Sequence, residues 1–187
     1  MIVTTKGRYA LRVLVELAEH RDAPDGFLPL REIARHQGIS GKYLGAILRD
    51  LAVAGLVFGS RGKHGGYLLS KQPGEITVGQ VLRLTEGRPT AVACLAPDAP
   101  PCPRAQVCPT LPVWQELDEL VNHFLDSYTL EDILVRQQAR RQAAQLAGVA
   151  VGLEDALPAA CPFGPEDDDP GDDPEDDPDD AEDGAHG

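Results

Sequence analysis

The sequence predicts a mainly α-helical chain with one small β-hairpin: a winged helix-turn-helix, then a long dimerisation helix, then a disordered acidic tail. Three observations carry that prediction. Two short amphipathic segments meet at a three-residue glycine turn. A glycine-rich basic stretch between two apolar runs follows at once. The C-terminal stretch is dense in like charge and proline and poor in apolar residues.

Each element has its own signal. Residues 8–20 place Leu11, Leu14, Val15 and Ala18 on one helical face, and Thr4 or Thr5 supplies the cap. Residues 22–26, "DAPDG", form a turn. A helix over 29–36 turns Ile33 and Ala34 inward, and "QGI" with Gly38 makes the tight turn. Ser40 caps the second helix, whose Tyr43, Leu44, Ile47, Leu48 and Leu51 form an apolar stripe. Gly55 ends it. "LVFGSRGKHGGYLLS" then reads as strand, glycine-rich loop and strand, with Arg61, Lys63 and His64 at the tip. Such a tip suits the strongly negative minor groove of DNA. A short amphipathic helix with Val78, Val81 and Leu82 follows.

From Leu111, residues Val113, Trp114, Leu117, Leu120, Val121, Phe124 and Leu125 recur at helical spacing. That stripe is wide for a lone surface helix, so a second copy of the chain is its natural cover. His123, inside the stripe, reads as a packed histidine. Thr129 and Asp132 make a capping box that opens the last helix. The expected division is 1–72 for the winged helix-turn-helix, 73–150 for a sensor loop and dimerisation helices, and 151–187 for the disordered acidic tail.

Charge is distributed unevenly along the 187 residues, whose net charge is −13. Residues 162–187 hold 13 acidic and no basic residues, whereas residues 1–72 hold 11 Lys or Arg against 6 Asp or Glu. The front half therefore suits an anionic partner. The tail reads either as a solubilising polymer or as a nucleic-acid mimic that folds back on the basic wing. The N-terminal apolar run is broken by Arg12 and Glu16, and no apolar run approaches the roughly 20 residues of a membrane span. A cytoplasmic, reducing location follows, with no membrane partner. Clustered cysteines there point to metal or redox chemistry. No nucleophile–base pair, phosphate loop, carboxylate dyad or two-residue cysteine spacing is present, which argues against an enzyme.

Two groups of residues carry candidate chemistry. Lys6, Arg8, Lys42, Arg49 and Lys63 are phosphate-contact candidates, and Ser40, Lys42, Tyr43 and Arg49 line the reading helix, with Arg61 and His64 on the wing. Cys94, Cys102 and Cys108 lie within fifteen residues, in a loop stiffened by Pro97, Pro100, Pro101, Pro103 and Pro109. Three thiolates on one loop suit an iron–sulfur cluster. A zinc shell, a disulfide switch or plain thiols are the other readings. Cys161, at the edge of the tail, reads as an incidental thiol.

"TTKGRYALRVLVELA", "EIARHQGISGKYLGAILRDLAVAGLV", "SRGKHGGYLLS", the three-cysteine loop and "TLEDIL" occur in one order over about residues 1–140. Together they resemble the IscR/NsrR/CymR family of bacterial winged-helix regulators, also called the Rrf-two family. The resemblance implies a homodimer on a pseudo-palindromic double-stranded DNA operator, acting as a repressor. The helix after the cysteine loop would carry the dimer interface. Cys94, Cys102 and Cys108 match the ligands of a 2Fe–2S or 4Fe–4S cluster whose state sets operator affinity.

This chain departs from the family pattern in places. Seven residues separate Cys94 from Cys102, more than in the best-known member. Leu111 stands where that member has a histidine ligand, and Arg8 where some relatives have an acidic one. Asp98, Cys161 or a group from outside the loop remain as the fourth ligand. Gly45-Ala46 replaces a Glu-Gln pair on the reading helix, so the operator sequence should differ. A cluster-free regulator sensing oxidation of the same three thiols is the nearest rival, and a protein-interaction adaptor using the acidic tail is another.

Overall fold

The computed structural model describes residues 3–21, 26–62 and 65–146. In chain order these form α1 (Thr5–Glu19), α2 (Leu30–Gln37), α3 (Gly41–Val53), β1 (Val57–Ser60), β2 (Gly66–Leu69), α4 (Val78–Glu86), α5 (Leu111–Ser127) and α6 (Leu130–Leu146). Short 3-10 turns sit at Pro73–Glu75, Ala93–Leu95 and Ala105–Val107. The mainly helical fold with a single hairpin matches expectation. Lys63, His64, Cys161, residues 22–25 of the expected turn and the acidic tail lie outside the described residues.

α1 begins at Thr5, three residues earlier than the apolar spacing implies. The Thr4 hydroxyl accepts from the Gly7 amide at 3.3 Å. The Glu86 carboxylate, at the end of α4, accepts from the amide and hydroxyl of Thr4 at 2.8 Å each. Satisfied end amides let the helix extend by most of a turn beyond its apolar face.

The helix-turn-helix closes as the sequence indicates. Gly38 sits at φ 65°, a left-handed geometry that costs glycine nothing. It lets the Ile39 amide bond back to the Ala34 carbonyl at 3.1 Å, which ends α2. The Ser40 hydroxyl accepts from the Tyr43 amide at 3.2 Å and starts α3. α3 ends at Gly55 in the same manner, with the Leu56 amide on the Leu51 carbonyl at 2.9 Å.

The hairpin pairs Val57 with Leu69 and Ser60 with Gly66 in antiparallel register. Leu28 adds a one-residue third strand, exchanging two 2.9 Å hydrogen bonds with Tyr67. Gly66 allows this approach: a Cβ there would stand 2.5 Å from the Leu28 carbonyl oxygen. No apolar run marked the Leu28 pairing, because one residue has no periodicity to detect.

One core unites these parts. Leu14, Leu17, Ile33, Leu44, Ile47, Leu48, Leu51 and Leu56 are fully buried, and Ile76 and Leu130 close the same cluster from the later elements. Burying each such side chain contributes about 1.5–3 kcal/mol. Ile76 and Leu130 are brought together by a small bridge. The Val78 amide donates to the Tyr128 carbonyl at 2.8 Å, and the Leu130 amide to the Ile76 carbonyl at 3.0 Å. The Thr129–Asp132 capping box then opens α6, with reciprocal bonds of 2.9 and 3.1 Å.

α5 is different. Its only buried residue is Asp118, while Val113, Trp114, Leu117, Leu120 and Phe124 are exposed. His123, expected to pack within the dimerisation stripe, is exposed in the single chain. Nothing among the described residues covers this helix face. Among the described residues no helix is long and apolar enough to cross a membrane.

Candidate nucleic-acid interface and cysteine loop

α3 turns its apolar stripe into the core, which leaves Lys42, Ala46 and Arg49 exposed on the opposite side. Spacings of four and seven residues put them on one helical face. Arg61, also exposed, follows β1 at the start of the hairpin tip. Ser40 is exposed, but its hydroxyl is engaged in capping.

Other expected contact residues are held within the fold. Tyr43 is half-buried, its ring edge-on to Tyr9 with centroids 6.1 Å apart. Burial pushes the Tyr43 hydroxyl pKa up, against the pull of nearby Lys6. Lys6 Nζ lies 2.6 Å from Asp50 Oδ2, joining α1 to α3. The Arg8 guanidinium donates to the Thr5 hydroxyl at 3.3 Å.

A buried carboxylate braces α2, a feature that spacing did not flag. Glu16 on α1 is 6% exposed. Its two oxygens meet His36 Nδ1 and Gln37 Nε2, each at 2.5 Å. Arg35 lies 3.2 Å from His36 Nε2. The imidazole tautomer protonated on Nδ1 serves both neighbours, donating to Glu16 and accepting from Arg35. A charge flanked by apolar positions reads as a surface residue in sequence; only the packing of α1 on α2 shows it inside.

The cysteine loop lies on the surface. Cys94 and Cys102 are exposed and Cys108 is half-buried, and no disulfide joins them. Cys108 Sγ is 3.5 Å from the Thr110 hydroxyl, and this hydrogen bond lowers the thiol pKa, with backbone bonds from Thr110 and Leu111 adding to it. Asp98 is exposed in the same loop. Among the described residues no three His, Cys, Asp or Glu side chains are gathered closely enough to hold a metal ion. The fold thus places the three thiols on one accessible loop but does not bring them together.

The loop leads directly into α5 and its uncovered apolar face. This combination of reading helix, hairpin and cysteine loop can be set beside known proteins. A sequence model of the Rrf2 family, described as an iron-dependent transcriptional regulator, matches residues 3–136. The chain belongs to the Rrf2 family.

Relatives of this Rrf2 chain include the HTH-type transcriptional regulator IscR of Aliivibrio salmonicida. It is 35% identical over 141 residues, covering 75% of this chain and 82% of the relative. Among solved structures, T. potens IscR is 32% identical with a TM-score of 0.57, covering 83% of this chain and 96% of that one. An oxidized form of Staphylococcus aureus CymR is 32% identical with a TM-score of 0.55, covering 71% and 95%. The Rrf2 chain is accordingly a DNA-binding transcriptional regulator of winged-helix fold and not an enzyme.

Proposed function

We propose that the chain is a homodimeric repressor whose hold on its operator is set by an iron–sulfur cluster on Cys94, Cys102 and Cys108. The observation that carries this reading is the joining of two features. Three accessible thiols sit on a loop that runs straight into α5, whose apolar face is uncovered among the described residues. The donor chemistry fits a cluster, whose irons take thiolate ligands. When bound, the cluster supplies a centre whose charge and occupancy respond to iron, oxygen or nitric oxide. The chain's own residues do the rest. Exposed Val113, Leu117, Leu120 and Phe124 cover one another across a two-fold axis. Residues 1–72 then act as paired reading heads and 73–150 as the sensing and pairing half. Lys42, Arg49 and Arg61 meet the duplex from each head, with recognition helices about 34 Å apart. A shift at the loop changes that spacing and so biases the population able to bind.

Anaerobic purification tests the proposal. The expected protein absorbs beyond the ultraviolet, carries iron and sulfide, and bleaches on chelation with a change in operator affinity. A colourless protein with no iron, unmoved by anaerobic reconstitution, overturns it.

One observation favours a second reading, direct thiol sensing. Hydrogen bonding from Thr110 holds the Cys108 thiol pKa below its ordinary value, so more of it is the nucleophilic thiolate at neutral pH. The similar CymR was itself solved in an oxidized form. In this case Cys108 of the metal-free chain alkylates faster than the same thiol in Thr110→Val, and diamide alone releases DNA.

A further inference from the structure

Both ends of the cysteine loop are fastened to one helix. At its exit the Leu111 amide donates to the Cys108 carbonyl at 3.4 Å, and the Trp114 amide to the Thr110 carbonyl at 3.3 Å. At its entrance the fastening is made by side chains. Asp118, two turns into α5, is 4% exposed on a helix with no other buried residue. Its Oδ2 accepts from the Arg88 guanidinium at 2.9 Å, and its Oδ1 from the Ala91 amide at 3.0 Å. Asn122, one turn further, donates from Nδ2 to the Pro89 carbonyl at 3.1 Å and to the Asp118 carbonyl at 2.8 Å.

A carboxylate this buried is costly unless paired, and here a charge-assisted bond and a backbone amide offset the cost. Asp118 belongs neither to the hydrophobic core nor to the reading face. Its bonds go to residues 88–91, and Cys94 is the third residue beyond Ala91.

We infer that Asp118 is a positioning residue for the sensor: it clasps the loop entrance to α5 and so limits how far Cys94 must move to join Cys102 and Cys108. The inference rests on the three thiols serving as a shared ligand set. Without the Asp118 bonds, the nearest fixed point before Cys94 is Pro89, still held by Asn122, five residues back instead of three. An extended chain spans about 3.5 Å per residue, so the tether lengthens from about 10 Å to about 18 Å. Three-halves-power scaling of loop closure makes this about a twofold loss in effective concentration of the Cys94 thiolate.

Titration of the reduced, metal-free full chain with Cd2+ tests this without any cluster. Thiolate-to-cadmium absorption counts the sulfurs bound, and hydrogen exchange reads the Ala91 amide. Asp118→Asn removes the ionic clasp. Arg88→Gln, at a side chain nearly half exposed, removes the ion pair with little threat to folding. In Asp118→Asn the Ala91 amide should exchange faster, and in both variants Cd2+ affinity should fall, by about twofold in Asp118→Asn. In a Cys94→Ser background the same substitution should leave affinity unchanged, which a merely structural role would not predict. Unchanged affinity in an Asp118→Asn chain whose Ala91 amide has been released overturns the inference, as does failure to release that amide. If the native chain binds Cd2+ through fewer than three thiolates, the shared-set reading itself fails. If Cd2+ affinity shifts as expected but no iron–sulfur cluster reconstitutes, only the cluster reading falls.

Discussion

The reading head and α5 are made of similar residues and put to opposite use. In the head, Leu14, Leu44, Leu48 and Leu51 are fully buried against one another. On α5, Leu117, Leu120 and Phe124 are 40%, 65% and 56% exposed. The head buries its apolar side chains in a core that Ile76 and Leu130 close, whereas α5 offers apolar surface that nothing among the described residues covers. The proposed sensor would gain from that asymmetry. In the proposed dimer, a head closed within one chain would stay folded while the α5 faces rearrange, because covering α5 would stabilise the association of two chains rather than the fold of either.

The largest expected effect breaks the head. Leu48→Ala opens a cavity at a fully buried site and should cost about 2–5 kcal/mol in urea unfolding. Replacing Leu120 or Phe124 with Glu should leave head unfolding near the native value yet convert the proposed dimer to monomer in sedimentation, with operator binding lost. A stable dimer in both variants would erase the comparison.

Smaller changes sharpen it. Ser40→Ala removes the α3 cap, worth about 1 kcal/mol, from inside the head. The α5 cap position, Thr110, makes no side-chain capping bond, so Thr110→Val should leave helix stability almost unchanged. The smallest effect is acid-dependent. The hydrogen bond from the Thr129 hydroxyl holds the Asp132 carboxyl below its usual pKa. A depressed folded value means that its contribution is full above the unfolded pKa, about 3.9, and is lost as pH falls through the folded one. Exchange of amides in the first turn of α6 should therefore quicken only below about pH 4. Asp132→Ala should abolish that step. Asp126, depressed by Arg83, titrates nearby, so Asp126→Asn serves as the control.

Much of the head was legible because its signals are local and periodic. The Gly38 turn, the Ser40 cap and the α3 stripe each lie within a few residues, as does the Thr129–Asp132 box beyond the head. What escaped was polar and long-range. Glu16 meets partners 20 and 21 residues away, and Asp118 meets Arg88 across 30. A single charged residue carries no period, and its burial is decided by which helices meet. The three cysteines were found, but their spacing could not tell whether the folded loop gathers them, since that depends on backbone turns at Ala93–Leu95 and Ala105–Val107. His123 is exposed in the single chain, and the stripe that carries it was read as one that a second copy covers.

The ladder contact between Thr77 and Thr129 has a consequence for how such proteins diversify. The polypeptide leaves the head near residue 77 and returns to the same spot fifty-two positions later, so the intervening stretch is a detour with a shared doorstep. Residues added to or removed from its loop between α4 and α5 need not disturb the head. Seven residues between Cys94 and Cys102 are one length such a detour accommodates.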